Sequence, residues 1–534
     1  MLTLLLGAPL AAQACRRVRP RSMPGEVRGA AMPVGHRLRR ATVEHASGPA
    51  KRVRVAIIGS GPSGLNAAWR LERLGERDFA VFDLEPKVGG TSTYGTDGVV
   101  PYPWGAHYVP APTRDNPALV ALLDELGVLL KVPPGAEPRV QEARLVRAPE
   151  ERLFIDGAWH QGLFPYEGAP KQTFEELKRF NREVDHWVRW RDTRGRRAFT
   201  IPVQRCSDDA EVTALDRMTA AEWVEKNGFT SKPMRWYLEY ACRDDYGLTL
   251  ETTSAWALLF YFCARVPSPG KDSEPFIVWP EGNGHLVRHL SGVAGKRVRL
   301  GQLVTDVVPH DDHVELSAYD VAGGTLHRYV ADYLIFAIPK FIVPHIYRPW
   351  REKPPPHLDD FNYGVWMVAN LHLSKRPRSK GFPFAWDNVL YDSPALGYVV
   401  ATHQRLVDHG PTVWTYYHPF VDHDPAKARE KLKAIDHAGF CDSIVSDLSR
   451  AHDDVESAID RIDVYRWGHA MVSPRPGFIW GPARRHAAQP EGRVHFAHSD
   501  LSGLALFEEA QDHGIRAAEQ ILRAMGRRFE SLVG

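Results

Sequence analysis

Arg52-Val-Arg-Val-Ala-Ile-Ile58 runs directly into Gly59-Ser60-Gly61-Pro62-Ser63-Gly64. The β-branched run predicts a buried strand, and the glycines that end it predict a tight turn. Leu65, Ala68, Leu71 and Leu74 then recur at helical spacing until Gly75, and Phe79 to Leu84 predicts a second strand. Gly59 permits the turn, Gly61 lets backbone approach a pyrophosphate, and Gly64 lets the helix pack closely on the strand. The phosphates are then expected at the positive end of the helix. Asp83, beside Leu84 and 19 residues beyond Gly64, stands where a carboxylate accepts hydrogen bonds from ribose hydroxyls. A glycine pattern alone is weak evidence; strand, turn, helix and acid together predict a dinucleotide site.

The rest of the composition bounds the class. A chain of 534 residues exceeds the ~250 to 300 at which a single core stops growing, so two lobes are expected. A formal charge of +2 supplies no global field for nucleic acid or an acidic membrane. The arginine-rich stretch from Arg16 to Arg40 also carries prolines and glycines and reads as a solvated linker. Cys15, Cys206, Cys242, Cys263 and Cys441 are scattered without metal or disulfide spacing. The opening apolar run ends on Ala12-Gln13-Ala14, a signal-like leader without the usual positive start. Export to the periplasm, with the leader cleaved or Cys15 lipidated, is one expectation and a cytoplasmic location the other; Ala12 departs from the larger aliphatic residue usual before a lipid-bearing cysteine. No stretch reads as a stable membrane span.

Lys87-Val88-Gly89-Gly90-Thr91-Ser92 and then Trp104-Gly105-Ala106-His107-Tyr108 follow the second strand. They resemble the corresponding stretch of the FAD-dependent amine oxidase and phytoene desaturase superfamily, in which the glycine doublet approaches the FAD phosphates and the later segment runs along the flavin. Thr91 departs from the arginine usual there. Four further stretches repeat the resemblance in order: Trp279 to Leu286; Val298 to Val308, whose Val304 would clasp the adenine; Ala331 to Pro339, including Ala337; and Val494 to Asp500 with Phe507 to Ala518. In the last, the resemblance implies Asp500 on the ribityl chain and a helix start at Glu508 and Ala510 under the pyrimidine ring. A helix N-terminus there would meet the negative charge that flavin reduction builds. Glu509 and His498 each replace a glycine usual in the family.

The resemblance implies an α/β fold: a discontinuous Rossmann-like FAD-binding domain (51–145, 276–345 and 490–534) with an inserted mixed α+β substrate domain (146–275 and 346–489), after a leader and linker (1–50). It implies hydride transfer from a small organic substrate, at an amine C–N or alkyl C–C bond, to FAD. The electron acceptor is left open. Trp467 and His469 fall on the segment that crosses the flavin face. The strand from Trp366 to Leu373 lacks the lysine of many amine oxidases and has Val368 or Asn370 in its place; Asn370 is the catalytic candidate. No cysteine follows Cys441, so FAD is expected to be non-covalent. The pairs His418/His423 and His409/His437 lack ligand spacing, and no metal is assigned. Arg243-Asp-Asp-Tyr246 reads as a solvated helix end rather than a cation-binding wall. An NAD(P)-dependent dehydrogenase and a non-catalytic scaffold of the same fold are the alternatives.

Overall fold

The computed structural model describes residues 23–39, 45–270, 275–405, 407–422 and 424–533. The leader, Cys15 and His423 lie outside the described residues.

The first predicted strand forms as Lys51–Ile58, with Val55, Ala56 and Ile57 fully buried. It lies between Phe79–Phe82 and the long strand Thr325–Phe336 and runs parallel to both, so its C-terminal half, Val55–Ile58, is covered on both faces and is wholly apolar, while Lys51, Arg52 and Arg54 are exposed. Val298–Arg299 extends the sheet beyond Phe79–Phe82. The other edge of Thr325–Phe336 is divided. Its C-terminal half pairs in parallel with Val494–Phe496, and its N-terminal half pairs with Val314–Asp320, which returns to Gln302–Pro309 in an antiparallel ribbon. The helices Pro62–Arg73 and Phe507–Ala524 pack together on one face through Ala67, Ala68, Leu71, Ala517 and Ile521. Ala67, Ala68 and Ala517, with Gly514, where a β-carbon would lie 2.1 Å from Ser63 O, let the two helices approach closely.

A second sheet of eight strands makes up the other lobe. Its order is Val27–Gly29, Ile459–Val472, Tyr363–Leu373, Thr412–Pro419, Gly397–Val400, Asp387–Leu390, Glu151–Ile155 and Ala158–Gln161. Aromatic helices cover it at one end: Lys171–Arg189, Ala220–Lys226, Lys232–Tyr246 and Ala255–Cys263, around a core that includes Phe180, Trp223, Trp256 and Phe260. Thr219 starts one of them with a reciprocal cap, its Oγ1 accepting from Glu222 N–H while Glu222 accepts from Thr219 N–H.

Within 146–275, Asp156 and Gly157, both with positive φ, close a hairpin of two strands. Pro425 to Leu448 forms two helices, Pro425–Ala434 and His437–Leu448, since Asp436 accepts from Gly439 N–H and starts the second one afresh. One expectation needs correction: the described part of the arginine-rich segment is not a free linker, because Val27–Gly29 joins the second sheet beside Ile459–Val472. Among the described residues no helix is long and apolar enough to cross a membrane.

Candidate functional site

The turn after Ile58 has the geometry its glycines predict. Gly59 has φ +104°, and a β-carbon there would lie 2.5 Å from Ala337 O, so only glycine lets the turn close on the neighbouring strand end. A β-carbon on Gly64 would strike Gly59 O at 1.9 Å. Gly61 is different. Its φ of −70° suits any residue, and the nearest atom to an added β-carbon is Gly90 Cα at 4.0 Å. The protein itself does not require glycine at 61; a ligand passing between Gly61 and Gly90 at the head of helix Pro62–Arg73 would. Asp83 sits at this mouth, accepting from Ser60 N–H (2.5 Å), Ser60 Oγ (2.6 Å) and Glu85 N–H (2.8 Å). Burial raises its pKa, and the Ser60 and Glu85 bonds oppose the shift. Ser63 Oγ is buried without a partner beside the same turn.

The two predicted flavin segments are tied to each other. Ala106 N–H donates to Thr91 O (3.0 Å) and Trp104 N–H to Thr93 O (3.0 Å). Gly105 has to be glycine, because a β-carbon would lie 2.2 Å from Thr91 O. Asn283 N–H, from the Trp279 to Leu286 stretch, donates to Ala106 O and completes this floor. Ser92 is buried within it, whereas Lys87 is exposed. Val304 is buried on Gln302–Pro309 next to a bulge between Val304 and Asp306.

The closing element converges on the same place. Asp500 is buried and accepts from Lys340 N–H (2.9 Å), the residue after Pro339, and from Tyr363 Oη (2.6 Å). His498 Nδ1 lies 2.9 Å from its other oxygen. Burial alone would raise the Asp500 pKa, but His498, Tyr363 and Lys340 N–H hold it below the ordinary aspartate value. The helix Phe507–Ala524 has no side-chain cap at its start. Glu508 Oε1 is buried there without a partner, and burial pushes that carboxyl up to about 7. Glu509, which stands where glycine is usual, turns away from the helix head. It accepts from Val203 N–H (2.8 Å) and from Ser502 Oγ (2.5 Å), and Ser502 Oγ lies 2.8 Å from His513 Nε2. The Glu509 carboxylate is therefore fully taken up by Val203 and Ser502.

The catalytic candidates are not gathered at one point. Trp467 is half-buried, stacks on Tyr465 (4.1 Å) and donates from Nε1 to Trp104 O (2.7 Å), which puts it against the flavin-segment floor. His469 stacks instead on Phe341 (4.2 Å) with Tyr363 at its edge, and burial lowers its pKa to about 4, so it is a neutral imidazole. Asn370 is fully buried with both amide ends engaged: Nδ2 donates to Pro103 O (3.0 Å) and Oδ1 accepts from Thr415 Oγ1 (2.8 Å). It ties the second sheet to the floor and has no proton to exchange.

The sequence reading of Arg243 to Tyr246 is overturned. Asp245 and Tyr246 are buried, and Asp245 pairs with the buried Arg265 at 2.9 Å. The next helix, Ala255–Cys263, covers the end expected to face water, and Tyr246 Oη donates to Ala257 O. Asp244 lies beside this pair, its pKa raised by burial and by Asp245. Asp387 and Glu151, from neighbouring strands of the second sheet, are raised by burial and by acids nearby, Glu151 to about 7. Rings of His107, Tyr108, Phe276, Trp386 and Tyr417 are in contact among these acids. His107 is neutral, lowered to about 4 by burial. A narrow cleft lined by Pro103, His107, Trp279, Trp386 and Thr415 opens beside them. Sequence reasoning missed Arg265, Asp387 and Glu151 because their partners lie on other elements.

Residues 57–126 match the profile of the NAD(P)-binding Rossmann-like domain. None of the curated proteins matches the chain significantly. Among solved structures, putrescine oxidase with bound putrescine is 19% identical with a TM-score of 0.64, covering 89% of this chain and 100% of its own. Cyclohexylamine oxidase from Brevibacterium oxydans IH-35A is 16% identical with a TM-score of 0.62 over the same shares. At these identities the likeness is one of fold. A Rossmann-like dinucleotide domain carrying an inserted mixed lobe, in the arrangement of these two amine oxidases, is the fold of this chain.

Proposed function

We propose that this protein is an oxidoreductase that holds FAD non-covalently and removes two electrons from a small cationic amine. Residues 51–145, 276–345 and 490–534 hold the dinucleotide, and 146–275 and 346–489 hold the substrate. The observation that carries the substrate class is a surplus of enclosed acid. Asp244, Asp387, Glu151 and Glu508 collect among aromatic rings, while Arg265, the one cation among them within the described residues, is already paired with Asp245. Burial raises those carboxyls first and neighbouring acids add to the shift, so a cation entering this site stabilises their charged forms, and an alkyl chain does not. The folds of putrescine oxidase and cyclohexylamine oxidase support the same class.

The cradle supports the cofactor. Gly61 opposite Gly90, the uncapped head of Phe507–Ala524 and the unpartnered Glu508 Oε1 are features the chain alone does not need. Bound FAD would supply the two-electron acceptor. Asp83 would hold the ribose, Asp500 the ribityl chain, and the backbone of Thr91 and Gly105 to Tyr108 would line the ring. Trp467 and Tyr465 wall the site and exclude water. Glu151 and Asp244, with pKa values raised from the usual carboxylate range, take up the proton that an ammonium must lose before its carbon can give up hydride.

The test is anaerobic mixing of the FAD-loaded protein with panels of amines, neutral alcohols and polyenes. Loss of the flavin band near ~450 nm with amines alone is expected. Bleaching by polyenes and not by amines overturns the substrate class. A bound flavin that no compound bleaches favours a scaffold, and a protein that binds NAD(P) and no flavin favours a dehydrogenase.

A further inference from the structure

The chain before the first parallel strand joins the two lobes. Ile462 N–H donates to Pro24 O and Val464 N–H to Glu26 O, both at 2.9 Å, and Val27–Gly29 continues alongside Val464–Arg466. The chain then leaves the second sheet and crosses to the cofactor sheet. Ala31 N–H donates to Glu85 Oε1 at 2.8 Å. A β-carbon on Gly35 would lie 3.4 Å from Leu84 Cδ2. The Arg37 guanidinium lies 3.8 Å over the Tyr319 ring, and Leu38 packs against the core beneath the sheet.

These contacts fall on a particular set of residues. Leu84 and Glu85 directly follow Asp83, and Tyr319 pairs with Leu303, the neighbour of Val304. The arm therefore touches the strand end expected to hold the ribose and the strand that pairs with the one expected to hold the adenine. At its other end Arg28 lies 5.5 Å over Trp104, the residue before Gly105. Glu85 is half-enclosed by the arm; burial raises its pKa and the bond from Ala31 offsets part of that shift.

We propose that Ala31–Arg39 forms the outer wall of the adenosine pocket, so that a bound adenine dinucleotide leaves only when this arm lifts. The proposal rests on the cofactor reading above. Among the described residues the wall is fastened at Glu85 by a charge-assisted hydrogen bond and at Tyr319 by a cation–π contact, with Leu38 packed into the core. Both fasteners can be removed without touching the glycine turn or Asp83.

The experiment uses the full chain loaded with FAD and follows the recovery of flavin fluorescence on dilution. Ala31→Pro deletes the N–H donor at a position whose φ of −63° suits proline. Arg37→Ala deletes the cation–π contact. The double variant is expected to release FAD at least ~10-fold faster, the scale of losing two such contacts, with an unchanged melting temperature of the FAD-free form. A double variant that takes up FAD fully and releases it at the wild-type rate overturns the proposal. Wild-type protein that takes up no FAD overturns the cofactor reading and this proposal together, and it is told apart by the lack of any signal to lose.

Discussion

Gly61 and Gly90 face each other across the mouth of the dinucleotide turn, close enough that a β-carbon on Gly90 would lie 3.4 Å from Gly61 Cα. Gly90 has φ +53° and needs glycine for its backbone, but Gly61 does not.

Gly61→Val is therefore expected to fold normally and to lose FAD. Occupancy, read from the ratio of flavin to protein absorbance after purification, should fall at least ~10-fold, while the melting temperature matches that of FAD-stripped wild type. Full occupancy in this variant would remove the basis for placing the diphosphate at this helix head.

Asp245 and Arg265 form an ion pair with both side chains enclosed, at 4% and 7% exposure. Removing one partner strands a buried charge, so Asp245→Asn is expected to cost about 3 to 5 kcal/mol of unfolding free energy. Asp245→Leu combined with Arg265→Met should cost less than the single change. Chemical denaturation of the three proteins checks this, and a single variant as stable as wild type contradicts it.

Buried carboxyls make stability depend on pH in an unusual direction. Glu509 is pushed up to about 8, and Glu508 and Asp512 to about 7, from ordinary values near 4. The folded chain keeps protons that the unfolded chain releases. Their contribution is full below the unfolded values and is lost as pH rises through the folded ones. Glu125, held down at about 2 by Arg73 and His289 despite its burial, acts oppositely and loses its contribution in acid. The melting temperature is expected to peak at about pH 5 to 6 and to fall towards pH 8.5. Glu509→Gln should flatten the alkaline fall, and an unaltered slope would count against Glu509 as its source.

Lys340 Nζ is buried without a hydrogen-bond partner and lies 3.8 Å over the Phe496 ring, where burial drives its pKa far down. Its backbone N–H serves Asp500, and its side chain serves nothing comparable. Lys340→Met keeps the shape and the N–H. It is expected to leave unfolding free energy unchanged or higher by about 1 to 2 kcal/mol, measured in urea. A clear loss of stability would mean that the amine has a stabilising role.

The sequence by itself determined the dinucleotide end. Strand, turn, helix and acid between Arg52 and Leu84 are set by local rules: β-branched residues for a covered strand, glycine where φ is positive or backbone must approach, and helical spacing up to Gly75. The hairpin at Asp156-Gly157 carried a local signal as well, the Asp-Gly pair between apolar runs. Tertiary structure alone decided the rest. Asp244 meets Glu151 and Asp387, Asp500 meets Tyr363, and Ala31 meets Glu85 across large separations along the chain. A carboxylate at the end of a helix looks solvated until another helix is packed over it. Whether a charge is buried or a donor paired depends on what the fold brings beside it, and no local spacing encodes that.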